Sequence, residues 1–439
     1  MPDAIAGLLA RLPLWMENTL ILLVALLPVL VIAALVLRGF AVRPLLSALL
    51  LRQAWVSVVF TALIAVSIGL GVGLIAQERG LRQGTARAAD KFELVVAAPG
   101  SEITAMLAAV YLQPSSIPLI DGPTYAQVAA HSNADLVAPL AFGDSYENAP
   151  VVGSTPAFVE YLSEGLAAGR VVATETEAIA GARTPLGVGD SFAPQHGRGD
   201  AAEGAHGDFE YQVVGRMPMT GSPWDRAYIV PAESVWSVHG LANGHGPGWD
   251  GSVGAPFDPE YFPGTPAALV KADTLGGAYV MQAQFNTDRT MALFPGTVLS
   301  RLHALMGDIR QVMSILAVVT QVLVTVGVLA GLMMLTRLLS RRLALLRALG
   351  APRRFNFALT WSYALTLIVV GAGLGLALGV LLTRVISGVI TARTDILVTA
   401  SLGWSELHLV GAFVSLTALL ALIPAWLTMT RPVVRDLRG

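Results

Sequence analysis

Residues 355–383 read FNFALTWSYALTLIVVGAGLGLALGVLLT, a run of 29 residues without a charge, opened by Arg353 and Arg354 and closed by Arg384. A helix needs about 20 apolar residues, each rising about 1.5 Å, to cross a hydrocarbon core about 30 Å thick. This run is long enough. The whole chain fits the same class: of 439 residues, 54% are hydrophobic and 13% charged. A soluble globular protein carries about 25% charged residues, so a soluble enzyme, a disordered chain and a coiled coil are all excluded.

Four more uncharged runs lie at 18–37, 53–77, 311–336 and 407–430, predicting a five-span α-helical bundle. An odd number places the termini on opposite sides of the membrane. For the first run the alternative is a cleaved signal peptide, but Asp3 and Glu17 spoil a basic leader and the apolar stretch is too long. Within the spans, Gly69 and Gly73, Gly327 and Gly331, and Gly371, Gly375 and Gly379 recur every fourth residue. Such spacing strips one helix face to backbone and predicts close helix packing, within the chain or across a homodimer. No span carries an ionisable residue near its centre, which argues against an ion-coupled pump.

Orientation follows from arginine. The loops 38–52 and 337–354 and the tail 431–439 together hold twelve arginines against the single acid Asp436, so they are cytoplasmic. The N-terminal segment 1–17, the loop 384–406 and the large segment 78–310 are then outside. That large segment holds 13 Lys plus Arg against 25 Asp plus Glu, a balance of −12, which leaves +10 for the rest of the chain. The net charge of −2 hides this division and argues against a nucleic-acid partner, which would need a basic face.

The external segment reads as an α+β domain. Strands are predicted at 92–98, 136–142, 169–173, 209–216, 227–230, 268–272 and 290–294. Helices are predicted at 101–112, with Ser101 as N-cap, and at 124–130, 155–162 and 274–285. A boundary between two lobes is expected near 196–208. Residues 78–91 and 297–310 prolong their neighbouring spans as stalk helices. The Gly-rich stretch 244–254, with Trp249, reads as a mobile loop, and Trp224 and Trp249 are candidates for contact with an apolar partner.

Catalytic signatures are missing. Lys91 and Lys271 are the only lysines and neither follows Gly, so there is no P-loop, and any ATP with its Mg must sit on another polypeptide. No His precedes Glu, no Gly-x-Ser-x-Gly occurs and there is no cysteine, which removes the corresponding zinc, esterase and thiol chemistries. No metal site is assigned. His196 and His206, with Asp200, Glu203 and Asp208, are candidate ligands, and His239 and His245 form a second candidate pair. Their irregular, Gly-spaced setting is that of a polar surface loop.

The loop 341–351 reads as a short helix closed by Gly350 and Pro352, with Leu343, Leu346 and Leu349 near one face. It suits docking into a partner's groove or resting on anionic lipid. The phrase Leu345-Leu346-Arg347-Ala348-Leu349-Gly350-Ala351 resembles the coupling helix of the MacB/FtsX-type ABC permeases. Residues 45–435 are similar to that family in layout, with one span, a large external domain and three further spans. Segments 93–101, 220–226 and 294–299 resemble parts of one MacB-like subgroup, and 44–52 resembles the interfacial elbow helix. Two features depart from the pattern. Leu343 stands near where the family has an acid, and the span 18–37 is additional.

The resemblance implies a homodimeric inner-membrane permease subunit, N-terminus outside and C-terminus in the cytoplasm, whose ATPase is a separate cytoplasmic subunit. Leu343, Leu346, Arg347, Ala348, Leu349, Gly350 and Ala351 would meet that ATPase. A periplasmic binding or adaptor protein is a further expected partner. The work implied is mechanotransmission to an external domain that extracts or exports a lipid, lipoprotein, siderophore, peptide or metal carrier. The chain itself binds no cofactor and is no enzyme in this reading. The alternative is a membrane sensor or scaffold regulating a periplasmic partner.

Overall fold

The computed structural model describes residues 13–197, 203–205, 209–305, 307–338, 340–394 and 396–430. They divide into two compact units, one from Met1–Gly80, Asp308–Ser387 and Ala400–Gly439, the other from Leu81–Gly307 with Gly388–Thr399.

The first unit is helical. Among the described residues, four helices are long and apolar enough to cross a membrane: Leu14–Leu37, Ala54–Ala89, Arg353–Thr394 and Trp404–Thr430. The run expected at 311–336 lies in the helix Gly307–Leu338, whose described apolar stretch, Val318–Met334, is shorter. A count of five spans therefore rests on the sequence. The additional first helix packs on the last: Leu22 and Leu26 lie over Gly411, and His408 Nε2 is 2.9 Å from the carbonyl of Asn18.

Ile64, Ile68, Val72, Leu367, Ile368 and Trp361 form the centre of this unit. Glycine permits that packing. A Cβ at Gly371 would stand 2.8 Å from Ile64, at Gly375 2.7 Å from Ile68 and at Gly379 2.7 Å from Val72. Gly69 faces Leu378, Gly73 faces Leu382, and Gly331 lies against the ring of Phe60. Lipid tails are as apolar as leucine, so such close approach, rather than hydrophobic transfer, holds membrane helices together. A methyl group added at Gly327 would meet nothing within 4 Å, so this position is open within the chain.

The second unit is α+β with two sheets. β1 (Leu94–Ala97), β2 (Ala134–Pro139), β12 (Ala267–Ala272) and β13 (Met291–Leu293) form an antiparallel sheet in the order β13-β1-β12-β2. The larger sheet contains β3 (Ala141–Tyr146), β4 (Ala149–Ser154), β5 (Ala168–Gly169), β6 (Glu177–Ala180), β7 (Ser191–Phe192), β8 (Gln195–His196), β9 (Glu203–Ala205), β10 (Tyr211–Arg216) and β11 (Tyr228–Pro231). Its order is β5-β10-β6-β11-β4-β3-β8-β9, with β7 beside β10; β10–β6 and β11–β4 are parallel and the other pairs antiparallel. Side chains cap the helices as their sequences suggest. Ser101, Asp121, Thr155 and Thr274 accept from the backbone N–H three residues on, at 3.2, 2.9, 3.3 and 3.0 Å.

Several expectations are corrected. The single strand expected at 136–142 is two strands in different sheets, parted at Leu140, whose N–H reaches Thr265 Oγ1 at 3.0 Å. Within the stretch 196–208, expected as a lobe boundary, β9 pairs with β8 in one sheet, and residues 198–202 and 206–208 lie outside the described residues. The strand expected at 169–173 shrinks to Ala168–Gly169, where Arg170 turns away to bind Glu177. Two elements exceed the apolar runs. Ala54–Ala89 spans about 54 Å and Arg353–Thr394 about 63 Å at 1.5 Å per residue. Both supply residues to both units.

The packing and one ion pair give measurable consequences. Gly375→Val should destabilise the helical unit by about 1–3 kcal/mol through overpacking against Ile68. Gly373→Val, at a position with no atom within 4 Å, should leave it unchanged in thermal unfolding of the detergent-purified chain. Glu177 accepts from Arg170 Nη1 at 2.8 Å and from the N–H of Ala173 at 2.7 Å. The Arg170 hydrogen bond chiefly holds its carboxyl below the ordinary range, against the opposing effect of burial. A depressed folded pKa stabilises above the unfolded value of about 4.3 and loses that stabilisation as the pH falls through the folded value. Glu177→Gln should therefore flatten the loss of the second unit's stability on acidification below about pH 5.

Candidate functional site

The loop expected at 341–351 forms a helix at Ser340–Ala348. It ends by two backbone bonds: Gly350 N–H to Arg347 O at 3.1 Å and Ala351 N–H to Leu346 O at 3.0 Å. With Gly350 at φ +100°, this is a Schellman close, and a side chain at 350 would be strained. Asn356, wholly buried, donates through Nδ2 to the carbonyl of Leu343 at 3.0 Å and ties the loop helix to the helix that follows.

The apolar face expected at Leu343, Leu346 and Leu349 is divided. Leu343 is buried in the bundle core beside Leu359, and Ala344 is 3% exposed, so both hold the loop to its own chain. Leu346 and Arg347 are half-buried, Ala348 is exposed and Ala351 is half-buried. The outward apolar pair is Leu345 with Leu349, one turn apart and 50% and 85% exposed. Sequence periodicity alone could not separate these faces, because Leu occupies both.

At the other end of the same unit, Arg79 Nη2 lies 2.9 Å from Glu406 Oε1 and 2.8 Å from the carbonyl of Ser401, while Nη1 reaches Ser405 Oγ at 3.0 Å. Glu406 is fully buried and also accepts from Gly403 N–H at 2.8 Å, capping the helix Trp404–Leu420. An ion pair thus joins the long helix Ala54–Ala89 to the helix Trp404–Leu420. Glu406→Gln should remove the ion pair but keep the cap, and lower the midpoint of thermal unfolding. Glu406→Leu should lower it further, since it strands both Arg79 and Gly403 N–H.

In the second unit the histidines are regrouped. His196 on β8 and His239, just past the helix Ala232–Val238, both approach Asp144 on β3, and the ligand-bearing atoms of the three lie within 4.8 Å of one another. His206 falls outside the described residues, as do Asp200 and Asp208. His245 goes elsewhere: its Nε2 is 3.1 Å from Oε1 of buried Glu233, which also accepts from Gly254 N–H. Burial pushes the Glu233 carboxyl up. The His245 ring stacks on Trp249 at 4.8 Å between centroids, so the stretch 244–254 is clasped at both ends rather than loose. Trp224 is fully buried against Phe92 and Phe158, which removes it as a partner contact.

No protein-family model and no curated protein matches the chain. Among solved structures, the chain is similar to the periplasmic region of MacB from Actinobacillus actinomycetemcomitans, at 10% identity and a TM-score of 0.29, over 49% of this chain and 95% of that one. At that score the superposition establishes neither a shared fold nor a shared activity.

Proposed function

We propose that the chain is a five-span permease subunit of a bacterial inner-membrane ABC complex, working by mechanotransmission. The loop helix Ser340–Ala348 is the element that meets a separate cytoplasmic ATPase, on which ATP and Mg sit. The observation that carries this reading is the form of that loop. It is anchored on one side through Leu343, Ala344 and Asn356, closed by Gly350, and presents Leu345 and Leu349 outward amid arginines. A helix resting on lipid needs no such anchor. A helix that must pass on a push does.

Two further observations support it. Twelve cytoplasmic arginines orient the loop inward. The helices Ala54–Ala89 and Arg353–Thr394 run on past the length a membrane requires and are shared by both units, so a displacement at the loop has a continuous helical route outward. The described spans carry no central ionisable group, consistent with a machine that moves an external domain rather than passing an ion. In this reading a second copy of the chain completes the complex, a periplasmic binding or adaptor protein supplies cargo, and the external domain handles an envelope substrate.

Leu349→Asp should abolish stimulation of the co-purified ATPase while leaving membrane insertion and thermal stability intact, because Leu349 touches solvent. Leu345→Asp should act in the same direction. Leu343→Asp should instead destabilise the chain itself. Full stimulation in Leu349→Asp would remove the coupling role, and the absence of any ATPase in the purified complex would favour a membrane scaffold.

A further inference from the structure

We infer that Asp144, His196 and His239 form a binding site for a divalent first-row transition metal, Zn²⁺ foremost, on the external domain. The inference is independent of the coupling reading, since nothing in it requires an ATPase.

The site is built by the fold. Asp144 and His196 are partners across the antiparallel β3–β8 ladder, beside a register irregularity between Ala141 and Asp144 that re-aims the strand. His239 arrives from the end of the helix Ala232–Val238. Its approach depends on Gly143, because a Cβ there would stand 3.1 Å from His239 Nε2 and press on the ring. Three separate elements thus converge on one carboxylate.

The distances are those of a coordination shell. His196 Nδ1 lies 3.3 Å and His239 Nε2 3.5 Å from the same oxygen, Asp144 Oδ1. With metal–ligand bonds of about 2.0–2.2 Å, neighbouring ligands of a tetrahedral zinc stand about 3.4 Å apart. The third separation, between the two imidazoles, is at most 4.8 Å.

The protonation pattern agrees. His239 Nδ1 is 2.7 Å from the carbonyl of Val235, which can only accept, so Nδ1 carries the hydrogen. In the neutral ring Nε2 then presents a lone pair toward the carboxylate. The Nδ1–H···O=C bond is the outer-shell contact that commonly orients a metal-bound imidazole. The Asp144 side chain is 0% exposed, whereas the His196 and His239 side chains are 48% and 27% exposed, so a buried anion is approached from the solvent side through two imidazoles. Two nitrogens and one oxygen favour Zn²⁺ and its neighbours over Ca²⁺ or Mg²⁺, which take oxygen ligands. Among the described residues three ligands converge here, and a tetrahedral zinc takes a fourth.

The test uses the full-length, tag-free chain in detergent, stripped with chelator and titrated with Zn²⁺ against a chromogenic competitor, with Mg²⁺ and Ca²⁺ in parallel. Bound metal is counted by elemental analysis. One equivalent of Zn²⁺ is expected, retained in excess Mg²⁺ and Ca²⁺. His196→Gln, His239→Gln and Asp144→Asn should each weaken it by at least about tenfold, the lower bound seen even for outer-shell partners. His131→Gln, a histidine elsewhere in the domain, should have no effect. His196 is the most exposed of the three, so its variant keeps the test decisive if Asp144→Asn unfolds; melting curves report folding throughout. Failure of the wild-type chain to retain Zn²⁺, or equal affinity in folded His196→Gln and His239→Gln, would overturn the site and leave an imidazole–carboxylate ion-pair cluster in its place.

Discussion

The contact on which the helical unit depends is the line where Gly371, Gly375 and Gly379 meet Ile64, Ile68 and Val72. Bare backbone on one helix lets β-branched side chains of the other sink in, and dispersion over that seam replaces the hydrophobic transfer that lipid cannot supply. Around it, two buried polar pairs add to the packing: Trp361 Nε1 donates to the carbonyl of Ala418 at 3.0 Å, and Ser57 Oγ lies 2.8 Å from the Tyr363 hydroxyl. The two helices that form the seam also supply residues to both units.

In the second unit the comparable constraint is the crossing at Leu140. Thr265 Oγ1 accepts from Leu140 N–H and donates to a nearby carbonyl, Leu140 O at 2.8 Å or Ala267 O at 2.6 Å, so backbone groups at the point where the chain leaves one sheet for the other are satisfied without water. From there β3 runs to the two-residue turn Glu147–Asn148, both at positive φ, 45° and 71°, and returns as β4. That hairpin carries Asp144 to the place where β8 and the end of the helix Ala232–Val238 meet it. The candidate metal cluster is thus a consequence of sheet crossing, not of any local run of ligands.

Several elements are legible from residues alone, and the places where that legibility fails are instructive. Ser101 and Thr274 mark helix starts because short polar side chains satisfy free N–H groups. The loop helix ends where Gly350 allows it to. The β3–β4 hairpin escapes a local reading because Glu147–Asn148 is a weaker turn signal than Asn-Gly, although Asn tolerates the left-handed region. The helix Arg353–Thr394 outruns its expected length because Arg384 marks the end of an apolar run, which is a statement about lipid, while the helix ends only where its backbone bonds do. In the candidate metal cluster, His196 and His239 stand out in the sequence as members of separate candidate groups, and Asp144 carries no local signal.

The sequence by itself determined the membrane class, the clustering of arginines in a few short loops, the division of charge along the chain and the absence of a P-loop, because each follows from counting residue types along the chain. Tertiary structure alone decided which leucines of the loop face outward, that Glu406 meets Arg79, and that Asp144 gathers histidines 52 and 95 positions away. Those are matters of chain crossing and packing, where residues distant in sequence share a neighbourhood that no local pattern encodes.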